Sequence, residues 1–169
     1  MKILQLLQQL FTGFFLIIIS ISILTWMGVF NPFEKIESAM SGDVENKLTA
    51  EASSGNADAQ NKLGTLLYVQ AKKQKGGFTE AIHWFEQASE QEHPIAQLNL
   101  AFAYKAGNGV PADPSKAISL LYKSGVNFIK MGYPMDARDN VHSMVAINPN
   151  HPLNEALMKA LKADDKKNK

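Results

Sequence analysis

The chain has 169 residues, a formal net charge of +1 and no cysteine, and 46% of its residues are hydrophobic. So small a positive excess argues against electrostatic capture of a nucleic-acid backbone, and without cysteine there are neither disulfide staples nor thiolate metal sites. Residues 34–169 leave room for one domain with a modest core.

From Ile3 to Phe33 no charged residue occurs, and Phe11–Phe30 is almost continuously apolar. Twenty helical residues span about 30 Å, the hydrocarbon thickness of a bilayer, so residues 1–33 are expected to form one retained transmembrane anchor. A cleaved signal sequence is the competing reading, against which Thr25-Trp26-Met27-Gly28-Val29-Phe30 offers no small-residue cleavage site. Lys2 and the amino terminus put positive charge on the short side. That predicts a single-pass topology with a cytoplasmic amino terminus and the remaining chain outside, in the periplasm if the cell is Gram-negative.

Residues 34–56 are expected to be a short linker and lead-in helix. Asn31-Pro32 ends or bends the span, Ser41-Gly42 interrupts the helix after it, and Asp43 is placed to cap a helix running to about Ser53.

Beyond Gly55 the chain repeats itself. Ala59-Gln60, Leu63 and Gly64 return thirty-seven residues later as Ala96-Gln97, Leu100 and Ala101; Ala81-Ile82, Trp84, Phe85 and Ala88 return after thirty-six as Ala117-Ile118, Leu120, Leu121 and Ser124. Apolar residues at helical spacing fill each segment. Thr79 and Asp113-Pro114 signal helix starts, and Gly107-Asn108-Gly109 signals a stop. One helical hairpin cannot bury its apolar stripe alone, so successive hairpins must stack into an all-α solenoid.

Gly55-Asn56-Ala57-Asp58-Ala59-Gln60 with Leu63-Gly64, Ala81-Ile82-His83-Trp84-Phe85-Glu86-Gln87-Ala88, and Ala96-Gln97 through Gly107-Asn108-Gly109-Val110 resemble the Sel-like repeat branch of the tetratricopeptide superfamily. The resemblance covers roughly residues 50–124. It implies a short right-handed αα-hairpin solenoid and an adaptor role without naming a client. Glu92 stands where that family usually has a helix-ending glycine, Leu66-Leu67-Tyr68 carries one residue more than its usual spacing, and Gly76-Gly77 replaces its longer loop, so the first loop is expected to be irregular.

An ordinary tetratricopeptide register starting at Ile118 places Gly125, Phe128, Gly132, Ala137 and Pro149 at that unit's expected positions, so helix 115–131 would serve two units. Asn148-Pro149-Asn150 stops the next helix. Leu153, Leu157 and Leu161 then suit a capping helix from about Pro152 to Leu161. The repeat domain is thus set at residues 57–162, with 163–169 a disordered tail.

No catalytic, cofactor-binding or metal-ligating constellation emerges. His83, His93, His142 and His151 are scattered through repeat grammar, and no Gly-x-Ser-x-Gly occurs. Asp136, Arg138 and Asp139 read as a solvated helix face, and Met131, Met135, Met144 and Met158 as gap fillers.

The candidate binding surface comes from comparing the two copies. Asn61 and Thr65 in the first correspond to Leu98 and Phe102 in the second, which puts apolar side chains on the face that lines the concave groove of tetratricopeptide-like arrays. Gln60, Gln97, Asn99 and Lys105 are expected to rim this patch, which would suit a peptide or partner helix; cover by a neighbouring helix of the same chain is the alternative. The expected function is a non-enzymatic, membrane-anchored scaffold that binds a protein or peptide and neither nucleic acid nor cofactor. The alternatives are a constitutive subunit of a multi-protein envelope complex and a secreted repeat-containing regulator.

Overall fold

The computed structural model describes residues 32–167, with side chains from Gly42 onward. The expected anchor therefore falls outside the described residues, apart from Pro32 and Phe33. Among the described residues no helix is long and apolar enough to cross a membrane. The chain divides into two compact units, Met1–Val44 and Glu45–Lys169.

Seven helices are present among the described residues: α1 (Pro32–Ser53), α2 (Ala57–Gln74), α3 (Thr79–Glu90), α4 (Pro94–Ala106), α5 (Pro114–Lys130), α6 (Pro134–Ile147) and α7 (Pro152–Lys167). The expected break at Ser41-Gly42 is absent, because α1 passes through both residues. A single helical glycine costs only about 1 kcal/mol, too little to end a helix by itself, and Asp43 is an ordinary helical residue instead of a cap.

In the second unit, short loops fold each helix back on its predecessor: α2 packs on α3, α4 on α3 and α5, α6 on α5, and α7 on both α5 and α6. The result is a helical-repeat solenoid in which α5 does serve two pairs. The main core runs from Ile82 and Phe85 through Leu100, Tyr104, Ile118, Leu121 and Phe128 to Met144, Leu157 and Leu161. A smaller cluster of Ala52, Ala59 and Leu63, flanked by Leu48, Leu67 and Trp84, closes the amino-terminal end. Of the four methionines read as gap fillers, only Met144 is one, at 0% exposure; Met131 and Met135 face water around the α5–α6 turn.

Proline sets the pace of the second half. Pro94, Pro114, Pro134 and Pro152 each open a helix, where the missing amide would have had no intrahelical partner. Before three of them a side chain accepts from the first turn: His93 Nδ1 from Ala96 N, Asp113 Oδ1 from Lys116 N, and His151 Nδ1 from Leu153 N. Thr79 is not the cap expected of it. Phe78 holds that position without a side-chain cap and instead lays its ring 5.0 Å from that of Tyr68.

The first loop is irregular as the spacing suggests, since Lys75 takes a left-handed conformation at φ 58° beside Gly77 at φ 85°. The carboxy end departs from expectation. α7 does not stop at Leu161 but runs to Lys167, and Arg138 Nη2 donates to Asp165 Oδ2 at 2.7 Å. Residues 163–167 are thus helical in place of the expected disordered tail, and the Asp136, Arg138, Asp139 cluster has a partner for its arginine.

Candidate functional site

The groove between α2 and α4 begins with an interval in the sequence. Thr65, Tyr68, Val69 and Lys72 lie at helical spacing on one face of α2; Asn99 and Phe102 lie at the same spacing on α4. Together with Phe85 below them, these residues line a cavity of about 290 Å³. Gly64 permits the depth. A Cβ there would stand 2.8 Å from Phe85 Cδ1 and Cε1 and 3.1 Å from Ala81 O, so glycine lets α3 press against α2 and hold the Phe85 ring under the groove.

Polar contacts set the walls. Asn99 Nδ2 donates to Asn61 Oδ1 at 3.0 Å and approaches Thr65 Oγ1 at 3.5 Å, tying α4 to α2 across the array. The Thr65 hydroxyl donates back to Asn61 O at 2.8 Å. At the far end the Tyr68 ring packs at a tilt against those of Phe78 and Phe85, and its hydroxyl accepts from Asn108 Nδ2 at 2.6 Å. The Gly107-Asn108-Gly109 turn therefore supports the groove as well as ending α4. Val69 and Phe102 are left 46% and 41% exposed.

The residues expected to form the binding surface separate into three groups. Thr65, Asn99 and Phe102 line the cavity, with Asn61 holding Asn99 in place. Leu98 is half-buried against the main core, so the chain itself covers this member of the apolar pair, and Lys105 is exposed without lining the cavity.

Gln60 and Gln97 are not at a rim. Both are buried, at 4% and 3% exposure, and they make the same contacts one repeat apart. Gln60 Nε2 donates to Ala52 O and Gln97 Nε2 to Ser89 O, each eight residues upstream. Their Oε1 atoms accept from Gln91 Nε2 and Asn127 Nδ2 respectively. A buried amide with two partners stitches one hairpin to the next, which is why the residue type recurs. Tyr68, Val69 and Lys72 are groove residues that the two-copy comparison misses, because the extra residue at Leu66-Leu67-Tyr68 puts that end of α2 out of step with α4.

A second concavity of about 390 Å³ lies at the α3–α4 corner against α5, floored by Gln97 and Asn127. The two amides of its floor are already engaged. Asn127 Nδ2 donates to Glu92 O and Gln97 Oε1, and Asn127 Oδ1 accepts from Lys130 Nζ.

The hairpin pattern has known counterparts. Residues 57–93 and 94–125 each match the Sel1 repeat, one match following directly on the other. They correspond to α2–α3 and to α4 with most of α5. Among solved structures, the crystal structure of a Sel1 repeat protein from Oxalobacter formigenes matches at 24% sequence identity and a TM-score of 0.40, covering 67% of this chain and 96% of that one. No curated protein matches.

Proposed function

We propose that the two Sel1 repeats form a docking platform for another protein, engaged through the groove between α2 and α4. In this reading the apolar segment Phe11–Phe30 holds the platform at a membrane, with the repeats on the outer side, periplasmic in a Gram-negative cell, and the role is that of a scaffold that carries out no reaction of its own. Repeat hairpins generally serve protein interaction, and the membrane side of the proposal rests on the uncharged run from Ile3 to Phe33.

The observation that carries the docking reading is the exposure of Val69 and Phe102 over a cavity whose other walls are fixed by hydrogen bonds. Large side chains left half in water beside a formed hollow are what a partner's anchor residue covers. A photo-crosslinking amino acid at position 102 in cells should capture one discrete protein, whereas the same group at Ser119, exposed on α5, should not. Equal, diffuse labelling from both positions would remove the groove from consideration. Separating membranes from soluble fractions, with and without residues 1–31, tests the anchor independently.

A further inference from the structure

We infer that the occupant of this groove is an acidic peptide segment of a partner protein, carrying one large apolar side chain; this rests on the docking reading above. Three features carry it: the charges around the cavity, its size, and the hydrogen-bonding groups left open in its wall.

Lys72 is the only charged residue lining the cavity. Among the described residues no carboxylate lies within ion-pair distance of it. The helices that build the groove are biased the same way. α2 and α4 carry Lys62, Lys72, Lys73 and Lys105 against a single acid, Asp58, and the Asp58 carboxylate is engaged by His93 Nε2 at 2.9 Å. The neighbouring helix α3 has the opposite bias, with Glu80, Glu86 and Glu90 and no lysine or arginine. Lys72 is thus the one charge at the cavity wall, on helices whose other charges are mostly lysines, while the Glu45 carboxylate of α1 that reaches α2 accepts from Gln70 Nε2; this favours carboxylates on the segment that lies there and disfavours basic segments.

The cavity is at the lower end of the range, about 300–1,000 Å³, in which whole small molecules are bound. A single leucine- or phenylalanine-sized side chain seated on Phe85 between Val69 and Phe102 suits it better. Asn99 Nδ2 donates to Asn61 Oδ1 and approaches Thr65 Oγ1 on α2, and among the described residues no hydrogen bond reaches its Oδ1, which leaves that oxygen to accept a peptide N–H. Apolar burial would supply most of the affinity, and the lysine would choose between segments of opposite charge.

The test uses the purified full-length chain and three fluorescein-labelled ten-residue peptides. One has a central Leu-Phe flanked by glutamates, one has the same centre flanked by lysines, and one keeps the glutamates around Ala-Ala. Fluorescence anisotropy should show the acidic Leu-Phe peptide binding about tenfold more tightly than either control, with affinity falling as salt is raised. Lys72→Glu should cancel or reverse the preference between the two Leu-Phe peptides, and Phe102→Asp should abolish binding of both. Both positions are exposed on helix surfaces, and circular dichroism will show that the variants keep their helices.

If the two Leu-Phe peptides bind equally and both are lost in Phe102→Asp, the groove docks proteins but the acidic assignment is overturned. If peptide binding is insensitive to Phe102→Asp, the docking reading fails along with it. An unchanged charge preference in Lys72→Glu also overturns the assignment.

Discussion

The imidazole of His93 joins two repeats through opposite edges: Nδ1 accepts from Ala96 N at 3.1 Å to cap α4, and Nε2 lies 2.9 Å from Asp58 Oδ1 on α2. Capping requires an unprotonated Nδ1, so the ring proton sits on Nε2 and donates to the carboxylate. In the preceding repeat Asn56 occupies the same position, with its Oδ1 accepting from Ala59 N at 2.9 Å.

Because the cap and the Asp58 contact use different nitrogens, substitution separates them. His93→Ala loses both and should cost about 1 kcal/mol, the usual worth of a helix cap. His93→Asn retains the cap as Asn56 does and loses only a contact to an exposed carboxylate, so its stability should lie within about 0.5 kcal/mol of wild type. Urea denaturation of the two variants decides the matter; an asparagine variant as damaged as the alanine variant would mean that the Asp58 contact is the important one.

The buried glutamines allow a sharper prediction. Gln97→Leu keeps the volume but strands one amide hydrogen of Asn127 and removes the second donor of Ser89 O, which keeps only Glu92 N, so it should cost about 1–3 kcal/mol. Gln60→Leu should cost less, because its partner Gln91 is exposed and water replaces the lost acceptor. Midpoints of chemical denaturation in that order are expected, and a neutral Gln97→Leu would show that the inter-repeat stitch contributes nothing.

The hairpins are legible in the sequence because their determinants are local and periodic. Ala59, Leu63, Ala96 and Leu100 recur at helical spacing and all are buried. The groove is only partly legible. Phe102 and Thr65 emerge from comparing the copies, but Gln60 and Gln97 read as rim because a polar residue beside an apolar stripe looks solvated. A correcting signal is present in the chain: Gln91 and Asn127, the partners of those glutamines, are themselves one repeat apart. Glu92 stands at a glycine position of the repeat, and it does take a glycine-like conformation at φ 61°. Where α7 runs on past Leu161, Asp165 meets Arg138 from a different helix, a contact with no periodic trace in the sequence.

Two glycine-to-alanine substitutions in helices should have opposite signs. At Gly64 the new methyl group would stand 2.8 Å from the Phe85 ring and 3.1 Å from Ala81 O, so the ring would be pushed into the cavity it floors and the α3 backbone away from α2. The strain of about 1–3 kcal/mol outweighs the gain in helix propensity, so Gly64→Ala should destabilise and should also disturb the groove. At Gly42 nothing lies within 4 Å, and alanine should stabilise α1 by about 0.5–1 kcal/mol. Thermal melts compare the two directly, and a stabilised Gly64→Ala would mean that the α2–α3 approach is looser than the geometry requires.

Lys116 on α5 donates to the Tyr104 hydroxyl of α4, and this hydrogen bond, opposed by partial desolvation and aided by the charges of Tyr104, Glu86 and Asp113, raises its ammonium above the ordinary lysine range. A group whose folded value is raised contributes stability that is fully present below its unfolded value, about 10.4, and is lost as pH climbs through the folded value. The stability difference between wild type and Lys116→Met should therefore be constant from about pH 7 to 9.5 and shrink above about pH 10.5. Its size should be small, since Lys116 is exposed and its charge is screened by water. Urea unfolding of both proteins at pH 8, 10 and 11 reads the trend, and a difference that grows with pH would reverse the sign assigned to this contact.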